Sequence, residues 1–113
     1  METLNAINAE LAATGPEKRI LAGECQTSKL LFVETPELRF GVWQCTTGSW
    51  ASAWDTWEYF TVVAGRGVLV DGVGTKHVLQ PGVSVMIPAG STGVWTVDEP
   101  LRKTYVVPVV KGA

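Results

Sequence analysis

Histidine occurs once in this chain, at position 77, and cysteine only at 25 and 45. That one histidine lies far from the chain's motifs, so no serine–histidine–aspartate set is read here. Catalytic transition-metal sites draw on several nitrogen or sulfur ligands, so His77, within "TKHVLQ", reads as an ordinary surface or edge residue. The two cysteines lack the CxxC spacing of a redox pair and read as reduced, packed thiols. Cys45, in "WQCTTG", is the candidate for a reactive thiol, but a cysteine beside tryptophan in a strand is more often inert. Neither sign of charge dominates: 9 Lys+Arg stand against 11 Asp+Glu, a formal charge of −2. Such a chain has no basic field to hold nucleic acid or an anionic membrane. No apolar run nears the roughly 18 residues of a membrane span. The opening "METLNAINAELAATG" also lacks the basic end and continuous apolar block of a signal peptide. A soluble cytoplasmic protein, partnered by neither nucleic acid nor membrane, is expected.

What is present is a core. A chain of 113 residues with 46% hydrophobic content suits one domain. Leu4, Ile7 and Leu11 recur at helical spacing, Thr3 is placed to cap them, and Gly15 with Pro16 ends the pattern, which predicts a short N-terminal amphipathic helix over residues 1–15. Beyond Pro16 the texture changes to short runs rich in Val, Trp, Tyr and Phe, broken by glycine or proline. These are "KLLFVE", "LRFGVWQC", "WEYFTVVA", "GVLVDG", "KHVLQ", "VSVMIP", "GVWTV" and "RKTYVVPVV". About eight strands at that spacing predict an all-β antiparallel sandwich or barrel. "AGRGV", "DGVG" and "QPGV" read as hairpin turns. The first is not a nucleotide loop, because Val70 stands where G-x-G-x-x-G requires glycine.

Glu58 and Gly65 form E-x6-G, and Gly82, Pro88 and Gly90 form G-x5-P-x-G, with residues 66–81 between them. In order and on the expected strands, these resemble the second half of the first cupin motif and the first half of the second. Together with "GVWQCTTGSW" and "PAGSTGVWTVDEPLRKTYVV", they make the chain similar to small single-domain cupins related to the ethanolamine-utilisation cupin protein and to the cupin domains of ureidoglycine aminohydrolase. The resemblance implies a β jelly-roll barrel, often paired as a homodimer: a single cupin domain over 1–113, with the helical segment at 1–15 and the barrel at 16–110. A metal-binding cupin would carry H-x-H shortly before Glu58 and another histidine after P-x-G. Here those places hold Ala51, Ser52, Ala53 and Trp54, and then Gly93. No metal site and no cofactor are therefore expected.

Strand alternation puts Glu58, Phe60 and Val62 on one face and Trp57, Tyr59 and Thr61 on the other. The resemblance turns the Glu58 face inward, where a carboxylate needs a cation or hydrogen-bond donors. Arg39, Arg102, Lys103 and Tyr105 are the available partners, with Lys103 and Tyr105 favoured because they share a strand face. A buried pair that merely fixes the barrel's geometry is an equal alternative. Five tryptophans, at 43, 50, 54, 57 and 95, fall on segments that a cupin arranges around its cavity, and Trp95 shares the face of Gly93. Trp43, Glu58, Trp95, Lys103 and Tyr105 are the expected ligand-binding lining.

Three readings follow. The first is a metal-independent cupin binding a small polar metabolite, an amine or sugar-like compound. The second is a cupin-fold isomerase, lyase or hydrolase, with Glu58 as general acid or base and Lys103 or Tyr105 as proton partner. The third is a non-catalytic structural or regulatory dimer with a filled barrel, its edge strand "KLLFVE" protected across a subunit interface. A cavity of a few hundred Å³ beside Glu58 would favour the first two.

Overall fold

The computed structural model describes residues 1–110, and over these the chain is entirely β and turn. Nine strands follow one another: β1 (Ala12–Pro16), β2 (Ile20–Gly23), β3 (Gln26–Glu34), β4 (Leu38–Cys45), β5 (Gly48–Ala53), β6 (Glu58–Asp71), β7 (Lys76–Leu79), β8 (Ser84–Ile87) and β9 (Thr92–Pro108). Every pairing is antiparallel, and the sheet curls into the expected jelly-roll barrel. No described helix is long and apolar enough to cross a membrane.

β9 is the spine. Its first half pairs with β5, its second half with β4, and β6 runs beside it from Tyr59 to Asp71. Alternation explains why β9 serves both layers: Gly93, Trp95 and Val97 are buried while Val94 and Thr96 face out, and the pattern resumes at Leu101 and Lys103 after the exposed segment 98–100. The core gathers Trp43, Trp50, Phe60, Val62, Trp95 and Leu101 from four strands. Burying each such side chain stabilises the barrel by about 1.5–3 kcal/mol relative to exposure.

The N-terminal helix does not form. Residues 6–8 make a single turn and the segment then enters β1, whose Ala12 and Ala13 pair with Lys29 and Ser28. Its carbonyls have a better acceptor role. Nη1 of Arg102 donates to the oxygens of Ala6, Ile7 and Ala9 at 3.0, 3.0 and 2.9 Å, and Asn5, rather than Thr3, caps the turn by accepting from the amides of Ile7 and Asn8. Spending those carbonyls on a charged donor removes the acceptors that a helix needs, and a stretch of this length is marginal as an isolated helix. Ile7, expected to dock, is 62% exposed.

"AGRGV" is a second correction. The two predicted runs join, over residues 58–71, in one strand, β6, and the glycines mark a bulge where its register with β9 shifts three times between Val62 and Gly67. Gly65 has φ +87°, and a Cβ there would collide with the Pro100 carbonyl oxygen, so the bend requires glycine. "DGVG" does close a hairpin, with the Gly74 amide donating to the Asp71 carbonyl at 2.9 Å. "QPGV" turns the chain, but β7 and β8, which it joins, each pair with β6 instead of with each other. Of "KLLFVE", β4 flanks one side, while on the other β1 covers β3 only from Gln26 to Lys29, so residues 30–34 keep an edge unpaired among the described residues.

Candidate functional site

The carboxylate at the start of β6 is met from across the barrel. Lys103, in register with Trp43 of β4 and Val62 of β6, reaches inward, and its Nζ lies 2.6 Å from Oε2 of Glu58. The side chains are 6% and 14% exposed, so this is an interior ion pair. The Trp54 indole N–H donates to the other carboxylate oxygen, Oε1, at 3.3 Å. Arg102, the alternative inward candidate, points to the opposite face and holds Gln44 and the N-terminal segment. Arg39 pairs with Glu34 at 2.7 Å instead of with Glu58.

The ammonium is also caged by aromatic faces. Lys103 Nζ sits 4.4 Å from the ring centroid of Phe60, 4.6 Å from that of Trp43 and 4.8 Å from that of Trp95. Away from water, each such contact is worth on the order of 0.5–2 kcal/mol. The Glu58 carboxylate and the three π faces together hold the Lys103 side chain in one position. The rings form one cluster centred on Trp95, which stacks on Trp50 at 5.5 Å and 10° and makes tilted contacts with Trp43, Trp54 and Phe60.

A cavity of about 320 Å³ opens over this pair. Trp43, Trp50, Trp54 and Trp95 wall it, Glu58, Lys103 and Tyr105 supply polar groups, and Glu17, Lys29 and Arg39 lie on its lining as well. All five residues of the expected lining thus meet in one cavity, while Trp57, half-buried, is not part of it. Tyr105 is placed by a glycine: a Cβ at Gly41, its register partner on β4, would sit 2.5 Å from the phenol oxygen. Burial, and next the charge of Glu58, push the Tyr105 phenol above its usual value of 10.0, so it remains a proton donor near neutrality.

Lys29 and Gly41 were not identifiable as site residues from the sequence, which placed Trp54 only among the tryptophans around the cavity and Phe60 only on the face of Glu58. Trp54 reaches Glu58 through the irregular loop before β6, where no period assigns a face. Lys29 and Gly41 become relevant only through the β3–β4–β9 register.

The remaining candidates lie elsewhere. Cys25 and Cys45 are free and fully buried, outside the cavity. Burial pushes the Cys45 thiol up to about 12, which makes it a poor nucleophile near neutrality. His77 packs at the β6–β7 hairpin with Nε2 2.9 Å from Oδ2 of Asp71. That hydrogen bond, with backbone donors from Thr75 and Val73, holds the Asp71 carboxyl below its usual 3.8. A depressed carboxyl adds stability above its unfolded value that is lost as pH falls through the folded one. An NMR titration is expected to find Asp71 below 3.8, moving upward in His77→Ala; an unchanged midpoint would refute the assignment.

With this geometry in view, comparison with known proteins is decisive at the family level. A model of the EutQ-like cupin domain matches residues 34–105, more than half of the chain. The protein belongs to the EutQ-like cupins. No curated protein matches it. Among solved structures, this EutQ-like cupin is similar to the EutQ protein of Clostridium difficile, with TM-score 0.66 and 20% identity over 74% of this chain and 63% of that one. It is also similar to a protein of unknown function from Pseudomonas syringae pv. tomato, with TM-score 0.78 and 24% identity over 88% and 45%. The polyketide cyclase RemF of Streptomyces resistomycificus aligns with TM-score 0.71 and 19% identity over 100% and 82%. At these identities the likeness concerns the fold, and the match spans less than two thirds of the first two proteins.

The metal site that the resemblance implies would include Glu58, and the described residues around it do not fit one. Both Glu58 oxygens already accept hydrogen bonds, and the nearest neighbour of Oε2 is an ammonium. Among the described residues no group of three or more His, Cys, Asp or Glu is arranged to hold an ion. The position of Gly93 is closed as well, since a Cβ there would lie 3.0 Å from Leu69 Cδ1 and 3.5 Å from the Trp54 ring.

Proposed function

We propose that this EutQ-like cupin binds a small polar metabolite in its barrel without a resident metal, with the ion pair of Glu58 and Lys103 as the floor of the site. The observation that carries this reading is the cavity of about 320 Å³ directly above the interior pair of Glu58 and Lys103. It has tryptophan walls and a few convergent polar heads, the usual make-up of a small-molecule site. A filled barrel, the structural reading, has no place for such a volume. Acid–base catalysis by Glu58 is less well supported than binding, because each of its oxygens is already held by a donor and a proton transfer would first have to break the contact with Lys103.

Metal content is the direct test. Elemental mass spectrometry of the protein, after incubation with manganese, iron, nickel and zinc and gel filtration, is expected to find far less than one ion per chain. About one tightly held ion per chain would overturn the metal-free reading. Thermal-shift screening of metabolites then addresses the ligand, and a binder is expected to raise the melting temperature in proportion to ln(1 + [L]/Kd).

A further inference from the structure

The lining carries three cations, Lys29, Arg39 and Lys103, against two carboxylates, Glu17 and Glu58. Glu58 and Lys103 cancel each other at 2.6 Å. Arg39 donates through Nε to Glu34, and among the described residues its two terminal nitrogens have no hydrogen-bond acceptor. Lys29, also on the lining, makes no ion pair or side-chain hydrogen bond among the described residues. The other carboxylate on the lining, Glu17, makes no ion pair among the described residues and lies where the cavity borders a neighbouring hollow whose wall carries Lys18, Arg19 and Asp55. The Tyr105 hydroxyl adds a donor on the same lining. The groups free to meet a ligand are thus mainly donors and cations, while the acceptor expected to bind it, Glu58, is occupied.

We infer that the ligand is a small carboxylate, its flat apolar body against the tryptophan wall and its anionic group held by Lys29, Arg39 and the Tyr105 hydroxyl. This rests on the binding reading above and narrows it: an amine, the natural guest of a free Glu58, is disfavoured, and a carboxylate fits. Hydrogen bonds to a charged group are roughly twice as strong as neutral ones, and a carboxylate accepts two at once from a guanidinium. At about 320 Å³ the cavity is at the small end of ligand pockets, which suits a molecule with a single ring.

The test uses matched probes that differ in one group: benzoate, benzamide and benzylamine, then the same trio built on phenylacetic acid, each titrated by calorimetry and tryptophan fluorescence. The carboxylates are expected to bind about tenfold more tightly than their amides and amines at low salt, the gap narrowing as salt screens the exposed cations. The double variant Lys29→Gln and Arg39→Gln, at two exposed positions, is expected to fold normally and lose that preference while keeping its affinity for amides. Amides or amines binding as tightly as carboxylates would overturn the inference and leave the binding reading standing. A preference for carboxylates that survives in the double variant would overturn the roles of Lys29 and Arg39. Failure of all six compounds to bind would remove the inference together with the reading beneath it.

Discussion

Lys103→Met is expected to cost the barrel about 3–5 kcal/mol, because it leaves Glu58 as an interior carboxylate without its cation. The carboxylate is only 14% exposed and would retain a single donor, the Trp54 indole, at 3.3 Å. For a domain of this size such a loss lowers the melting temperature on the order of 10–20 °C. Glu58→Gln is expected to cost less, since the ammonium keeps its three aromatic faces. Combining Glu58→Gln with Lys103→Met should restore much of the stability lost in the single lysine variant, because replacing both partners removes the uncompensated charge. Chemical denaturation of the four proteins measures the cycle. If Lys103→Met unfolds within about 1 kcal/mol of the parent, the pair is solvated and its place at the site's floor is lost.

Trp95→Ala is the other large effect, expected at about 3–5 kcal/mol. Trp95 is 3% exposed and contacts four other aromatic rings, so its removal opens a void that surrounding strands cannot close without breaking β9 from β5 and β6. The same change strips one face from Lys103. Trp57→Ala, on the outward face and outside the cavity, provides the contrast and is expected to cost clearly less. Urea midpoints at constant m-value discriminate the two, and equal losses would mean that Trp95 is not the centre of the core.

The cycle and the aromatic contrast probe separate claims about one site. A strong coupling between Glu58 and Lys103 says that the pair is interior, whichever ligand binds above it. A large Trp95 effect says that the wall is rigid, which favours a preformed pocket that loses little entropy when a flat ligand enters.

The inward face of β6 was legible because a two-residue period sorts its side chains onto two faces and the cupin resemblance turned the Glu58 face inward: Phe60 and Val62 are 0% and 1% exposed while Tyr59 is 42% exposed. Alternation also put Lys103 and Tyr105 on one face of their strand, but left open whether that face or the one bearing Arg102 turned inward; Lys103 and Tyr105 are the two that line the cavity. The N-terminal segment misled for a physical reason. Leu4, Ile7 and Leu11 have a helical period, yet the carbonyls of Ala6, Ile7 and Ala9 accept from a guanidinium more than 90 residues away, which no local pattern records. β2 and β5, with sequences "ILAG" and "GSWASA", escaped notice because small residues carry weak strand preference, and only their pairing with each other and with β9 makes them strands.

By itself, then, the sequence determined the all-β class, the family, and the carboxylate that enters the barrel, since motif spacing and alternation are local properties written in order along the chain. The tertiary structure alone decided which cation meets Glu58, which rings cage it, and which charges are left over at the cavity. Those are outcomes of register between strands far apart in sequence, where a shift of one residue would have turned Lys103 outward and Arg102 in.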